Sequence, residues 1–288
     1  MRVLITGANG QLGTALKRES QGFDGINLFF TDIDETDIRS KETVAFAIDK
    51  YSPNIVVNCA AYTAVDKAED EHEKAFALNA FAPANLAEQC KLKNVKLIHI
   101  STDYVFDGKG NIPYNETDKV NPLSVYGQSK LKGEELSMAF GNTMVIRTSW
   151  LYSAYRSNFM KTMLKYGNER PELRVVFDQT GTPTLANDLA GVILRITQEP
   201  DKLFIPEVFH YSNEGVCSWF DFAYEIIKQA GLSTKVIPIT TKEYPTKAIR
   251  PQYSVLNKQK ISKLLGIDIP HWRQSLIKCL KEYLNENP

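Results

Sequence analysis

The chain has 288 residues, 43% hydrophobic and 24% charged, with 34 Lys plus Arg balanced by 34 Asp plus Glu. That is enough chain to bury the core of one or two domains. Zero formal charge and no basic stripe argue against nucleic acid or an anionic membrane as partner, and no apolar run reaches the roughly 18 residues of a membrane span.

Taken in order, "RVLIT" (2–6) is a short β-branched run that predicts a buried strand. It follows Met1 directly, and the apolar start reaches Gly7 without the core and cleavage site of a signal peptide, so we expect a cytoplasmic protein. "GANGQLG" leads into "TALKRES", which has helical spacing. "INLFFTD" (26–32) predicts a second strand and "SKETVAFAIDKY" (40–51) an amphipathic helix capped by Ser40. "NIVVNCAA" (54–61) predicts a third strand, 73–94 a long helix, and "VKLIHIST" (95–102) a fourth strand. A helix over 121–141, ended by Gly141, precedes a fifth strand over 143–152.

Near-continuous apolar strands alternating with helices predict an α/β fold, a Rossmann-type doubly wound parallel sheet covered on both faces. Ligands of such a sheet bind outside the carboxyl ends of its strands. Beyond residue 150 helices dominate: "NFMKTMLKYG", "ANDLAGVILRITQE" (186–199), "WFDFAYEIIKQAG" (219–231) with Ser218 as cap, and two more near "KQKISKLLG" and "WRQSLIKCLKEYL". We therefore expect a dinucleotide-binding domain over 1–148 and a smaller, mainly helical substrate domain over 149–288, with a segment near 176–200 packed back on the first. The four cysteines (59, 90, 217, 279) and four histidines (72, 99, 210, 271) are scattered, so neither a zinc site nor a disulfide framework is expected.

Gly7, Gly10 and Gly13 form G-x-x-G-x-x-G between a strand and a helix. Glycines let backbone approach a pyrophosphate, and a helix N-terminus favours its charge. The spacing differs from the G-x-G-x-x-G fingerprint, and its position carries the reading. Asp32 ends the second strand, where a carboxylate accepts from a ribose 2′-OH and favours NAD. "TDIDETDIRS" also offers further acids and Arg39, which leaves NADP open. Ser101 and Thr102 put hydroxyls at the end of the fourth strand. Tyr126 and Lys130 stand four apart, on one face of a helix. Alone, each pair fits a turn or a solvated face; together they map to one sheet edge. A ketone reduced by hydride needs a proton as alkoxide charge develops. A Tyr hydroxyl provides it when a nearby ammonium draws down its pKa from about 10, and a Thr hydroxyl holds the carbonyl.

With these residues in hand the chain resembles an extended short-chain dehydrogenase/reductase. "VNCAAYTAVDKAE", "STDYVFDG", "NPLSVYGQSKLKGE", "IRTSWLY", "FDQTGTPT" and "RPQYSVLN" are similar to the dTDP-4-dehydrorhamnose reductases within that family, over nearly the whole length. The resemblance implies reduction of the 4-keto group of dTDP-4-dehydro-L-rhamnose by NADPH or NADH, completing dTDP-L-rhamnose synthesis for bacterial surface polysaccharide. It implies Thr102, Tyr126 and Lys130 as the catalytic trio, with Lys130 lowering the Tyr126 pKa. It implies Gly7, Gly10, Gln11, Leu12 and Gly13 at the pyrophosphate, Asp37 and Ile38 near the adenine, and Ala61, Tyr62 and Thr63 along the cofactor. Asp103, Tyr104 and Trp150 match substrate-contacting positions, and Arg250 is a fork-shaped partner for the substrate diphosphate. Some relatives form a magnesium-linked dimer through C-terminal carboxylates; "KEYLNENP" offers only Glu282 and Glu286, so no metal is assigned and a monomer or homodimer is expected. Related dehydratases place Asp-Glu after the catalytic Thr, whereas here Thr102 is followed by Asp103 and Tyr104. A related epimerase or dehydratase is one alternative; a non-catalytic NADP-binding regulatory subunit is another.

Overall fold

The computed structural model describes residues 1–286, with side chains through 285. Six strands form the main sheet: β1 (Arg2–Thr6), β2 (Asn27–Thr31), β3 (Ile55–Asn58), β4 (Lys96–Thr102), β5 (Thr143–Thr148) and β6 (Val208–His210). All neighbours are parallel, in the order β2-β1-β3-β4-β5-β6. The order reverses between β1 and β3, which opens a crevice at their carboxyl ends.

Strand alternation sends neighbouring side chains to opposite faces. Val3 and Ile5 join one core with Leu12 and Leu16 of the helix Gln11–Glu19 and with Leu189 and Ile193 of the helix Ala186–Gln198. Leu4 faces the other way, into a core with Val44 and Ile48 of the helix Lys41–Tyr51 and Leu86 of the helix Ala82–Leu92. The doubly wound sheet expected from the strand pattern is the one observed.

Three predicted boundaries differ, each for a local reason. The third strand stops at Asn58, whose side chain takes the Ala60 N–H that a longer strand would have used in the sheet. The fifth strand breaks at Trp150, where φ is +46°; Leu151–Tyr152 then pair with Thr184–Leu185 instead. The long helix over 73–94 is two α-helical stretches, His72–Phe76 and Ala82–Leu92, joined by a π-helical turn, Ala77–Phe81.

The remainder of the chain is mostly helical, with the helices Phe159–Glu169, Trp219–Gln229 and Trp272–Glu286 and a short parallel pair, Glu172–Val176 with Lys235–Ile239. Ser218 caps the second of these helices as the sequence predicts, and Asp221 closes a capping box. No described helix is long and apolar enough to cross a membrane.

Candidate active site

The glycine turn follows β1. Gly7 has φ +68°, and a Cβ there would stand 2.5 Å from the backbone nitrogen of Ala60. Only glycine lets this turn seat against the start of the loop after β3, at the point where strand order reverses. Gly10 is the N-cap of the helix Gln11–Glu19, and no side chain caps it. Its first N–H groups therefore stay available to an anion.

A trench runs along the carboxyl edge as two cavities that share Gly10, Cys59 and Ala61. The smaller, about 310 Å³, is lined by Gly7, Asp32, Asp37 and Ile38 among others. Asp32 is fixed there by the N–H groups of Asn9 at 2.7 Å and Ile33 at 2.9 Å. Asp37 holds Arg39 in a fork at 2.7 and 2.9 Å, and that guanidinium keeps its carboxyl below the usual range. Thr36 also lines this cavity, and its buried hydroxyl has no hydrogen-bond partner. A fixed carboxylate and an uncapped helix end fit the hydroxyls and phosphates of a dinucleotide.

The larger cavity, about 580 Å³, brings together Gln11, Leu12, Thr63, Thr102, Asp103, Tyr104, Tyr126, Lys130 and Trp150. Ser124 caps the helix Val125–Met138 and accepts from Gly127 N at 3.2 Å. A Cβ on Gly127 would lie 2.3 Å from the Tyr104 carbonyl, so glycine lets this helix close on the loop after β4. That contact sets Tyr126 edge-on to Tyr104, with ring centroids 5.6 Å apart. The Thr102 hydroxyl donates to Asp103 at 3.1 Å and accepts the Tyr104 N–H at 3.2 Å.

Electrostatics here differ from the sequence expectation in one respect. Burial pushes the Tyr126 hydroxyl up to about 12, the Thr102 hydroxyl pulls it down, and the Asp103 carboxylate pushes it up. Lys130 is not among the groups that draw it down; its ammonium donates to the Ile100 carbonyl at 2.6 Å and lies 3.4 Å from Nε2 of His99. Burial lowers Lys130 itself to about 8, and Glu134 resists that fall. Burial likewise raises Asp103 to about 6. Tyr126 is thus firmly a phenol, the form that donates a proton.

Beneath the trio, Glu134 takes a fork of hydrogen bonds from Arg147 on β5, at 3.0 and 2.7 Å, and a further one from Ser101 on β4. Both partners of the ion pair are at most 5% exposed. One carboxylate thereby ties the helix of Tyr126 and Lys130 to the two strands beside it.

The model of the family described as RmlD substrate binding domain matches residues 1–285, and a solved structure of the dTDP-4-dehydrorhamnose reductase of Clostridium acetobutylicum superposes with a TM-score of 0.93 at 41% identity, over 99% of this chain and 100% of that one. The chain belongs to the dTDP-4-dehydrorhamnose reductase family. A family member from Bacillus anthracis, solved in complex with NADP, is 38% identical with a TM-score of 0.92, over 98% and 99%. The spore coat polysaccharide biosynthesis protein SpsK of Bacillus subtilis is 42% identical over 99% of this chain and 97% of its own.

Not every position that the reductase family suggests lies on the trench. Gly13 packs against Ala8 and lines neither cavity. The Tyr62 hydroxyl donates to Glu71 at 2.8 Å, outside both cavities, although its neighbours Ala61 and Thr63 line them. Arg250 lines neither; Asp66 holds it at 2.6 and 3.1 Å. Among the described residues, no group of three or more His, Cys, Asp or Glu side chains could hold a metal, and the Glu286 side chain lies outside the described residues.

Sequence reading passed over several residues that build the site. Asn79, in the π-helical turn, clamps the loop after β3 by accepting from Tyr62 N at 2.8 Å and donating to its carbonyl at 3.0 Å. Such turns often sit at functional sites, but nothing in the helical pattern of 73–94 announces one. Trp219 and Phe159 line the larger cavity from the second half of the chain; their signal was present, as aromatics at helix starts beside Ser218 and Asn158.

Proposed function

We propose that the chain reduces the 4-keto group of dTDP-4-dehydro-L-rhamnose to dTDP-L-rhamnose, with NADPH or NADH as reductant. The observation that carries this reading is the convergence of Thr102, Tyr126 and Lys130 in one cavity continuous with the glycine turn. When bound, a reduced nicotinamide supplies the hydride to the carbonyl carbon. Tyr126 gives its proton to the carbonyl oxygen, and the phenolate left behind regains one from solvent. The Thr102 hydroxyl holds that oxygen against Tyr126. Lys130 places positive charge behind the tyrosine, most valuable as phenolate charge develops. Thr102 has a single hydroxyl proton and gives it to Asp103 in this structure, so holding the carbonyl requires that proton to turn from Asp103 to the substrate oxygen. Trp150, Trp219 and Phe159 wall the sugar side.

The dehydratase alternative needs an acid after Thr102–Asp103; the residue there is Tyr104, half-buried and packed on Tyr126. The test is direct. Purified protein is mixed with dTDP-4-dehydrorhamnose and NADPH or NADH, and absorbance is followed at the nicotinamide band. Loss of the band with formation of dTDP-rhamnose is expected; no oxidation of either nucleotide would sink the reading.

A further inference from the structure

Behind Lys130 a line of buried polar groups crosses three strands. Thr6 on β1, Asn58 on β3 and His99 on β4 are each at most 1% exposed. The Thr6 hydroxyl donates to Asn58 Oδ1 at 2.8 Å, and the backbone N–H of Ala60 donates to the same oxygen at 3.1 Å. The other half of that amide, Nδ2, faces Nδ1 of His99 at 3.1 Å. The second ring nitrogen, Nε2, faces Lys130 Nζ at 3.4 Å.

Counting donors and acceptors fixes the ring. A backbone N–H can only donate, so Ala60 pins Oδ1 of Asn58 and leaves the NH₂ group toward His99. An amide NH₂ has no lone pair to offer, so Nδ1 must accept. Burial and the charge of Lys130 keep the imidazole neutral, which leaves one ring proton to place. It belongs on Nε2, pointing at Lys130. The ammonium therefore has one good acceptor inside the protein, the Ile100 carbonyl at 2.6 Å, and meets a donor at His99. The 3.4 Å separation is long for a hydrogen bond and suits two groups that do not share a proton.

We propose that His99 is a positioning residue for Lys130: Asn58 locks it as the Nε2–H tautomer, and its donor turns the two remaining ammonium hydrogens toward the cavity. The proposal rests on the role given to Lys130 under the proposed function. The titratable groups facing the ammonium are Glu134 on its own helix, Cys59 after β3 and His99 on β4; Glu134 and Cys59 favour its charge, while burial opposes it. An N–H dipole aimed at the ammonium acts in the same sense as burial.

The tautomer is read without turnover, so this idea and the assigned reaction fail separately. Full-length enzyme labelled with ¹⁵N-histidine is studied by long-range ¹H–¹⁵N NMR, and His99→Phe identifies the ring by loss of its signals. A protonated Nε2 and a bare Nδ1 are expected on both sides of neutral pH; a proton on Nδ1 overturns the proposal. Asn58→Asp, whose carboxylate can only accept, is expected to place a proton on Nδ1, and a ring with a bare Nδ1 in that variant also overturns it. In His99→Phe the opposing dipole is gone. The alkaline limb of kcat is then expected to move up by about one pH unit. A limb that stays in place means packing alone and rejects the positioning role.

Discussion

The indole rings of Trp150 and Trp219 lie parallel, 3.6 Å between centroids and 7° apart in plane. One belongs to the segment leaving β5, the other opens the helix Trp219–Gln229, so the stack joins the sheet edge to the helical half of the chain across the larger cavity. Trp150 reaches this position at φ +46°, a conformation that costs a bulky residue about 1–3 kcal/mol. A stacked aromatic pair contributes about 0.5–1.5 kcal/mol beyond its buried area. Strained backbone of this kind clusters at ligand clamps, and both indoles line the larger cavity. Trp219→Ala should raise KM for the sugar nucleotide about tenfold and leave kcat within about twofold. An unchanged KM in steady-state kinetics would make the pair mere packing.

Tyr126→Phe removes the proposed proton donor and little else. Its ring still packs on Tyr104. Loss of a general acid costs about 10²–10⁴ in rate, so kcat should fall by that order while a binding titration with the sugar nucleotide is unaltered. Turnover near that of the parent enzyme would remove Tyr126 from the chemistry.

The pH dependence follows from Lys130, since Tyr126, pushed up to about 12, stays protonated across the working range. Lys130, lowered to about 8 from its ordinary 10.5, loses its ammonium as pH rises through about 8, and activity should decline there. Stability runs the opposite way. Between about 8 and 10.5 the unfolded chain binds the proton that the folded chain has released, so stability rises with pH over that window. Lys130→Met should have a lower rate and no alkaline limb near pH 8. A limb retained in that variant would belong to another group.

Glu134→Gln should unfold at markedly lower urea. Arg147 would be left buried with no carboxylate, a loss of about 3–5 kcal/mol. Replacing both partners, Glu134→Leu with Arg147→Met, should cost less than the single change, because no uncompensated charge is left inside. Equal losses in equilibrium unfolding would show that the pair matters only for its volume.

Much of the fold was legible because strand and helix periods are local. The run of apolar β-branched residues in "RVLIT" and "NIVVN" and the cap at Ser40 each act over a few residues. Thr102, Tyr126 and Lys130 could be placed together for a related reason: the first ends a strand and the other two share one face of the next helix, beside an edge that is known once the sheet is parallel. Other features depend on partners far along the chain. Tyr62 could not be seen to turn away, since Glu71 and Asn79 decide its direction. Arg250 is matched in the sequence to the substrate diphosphate, and its ion pair with Asp66, 184 residues earlier, has no local signal. Burial, a property of the whole fold, raises the Tyr126 hydroxyl, and no local pattern of residues shows it.

The sixth strand sets a condition on synthesis. Val208–His210 pairs with β5, so the sheet edge at Val145–Arg147 stays open until some sixty further residues have left the ribosome. A nascent chain halted near residue 150 holds Thr102, Tyr126 and Lys130 and a bare strand edge, the surface on which chains pair with one another. Premature release should therefore yield aggregate in place of a smaller working enzyme, and any split or permuted version of the molecule has to keep β5 and β6 in one piece.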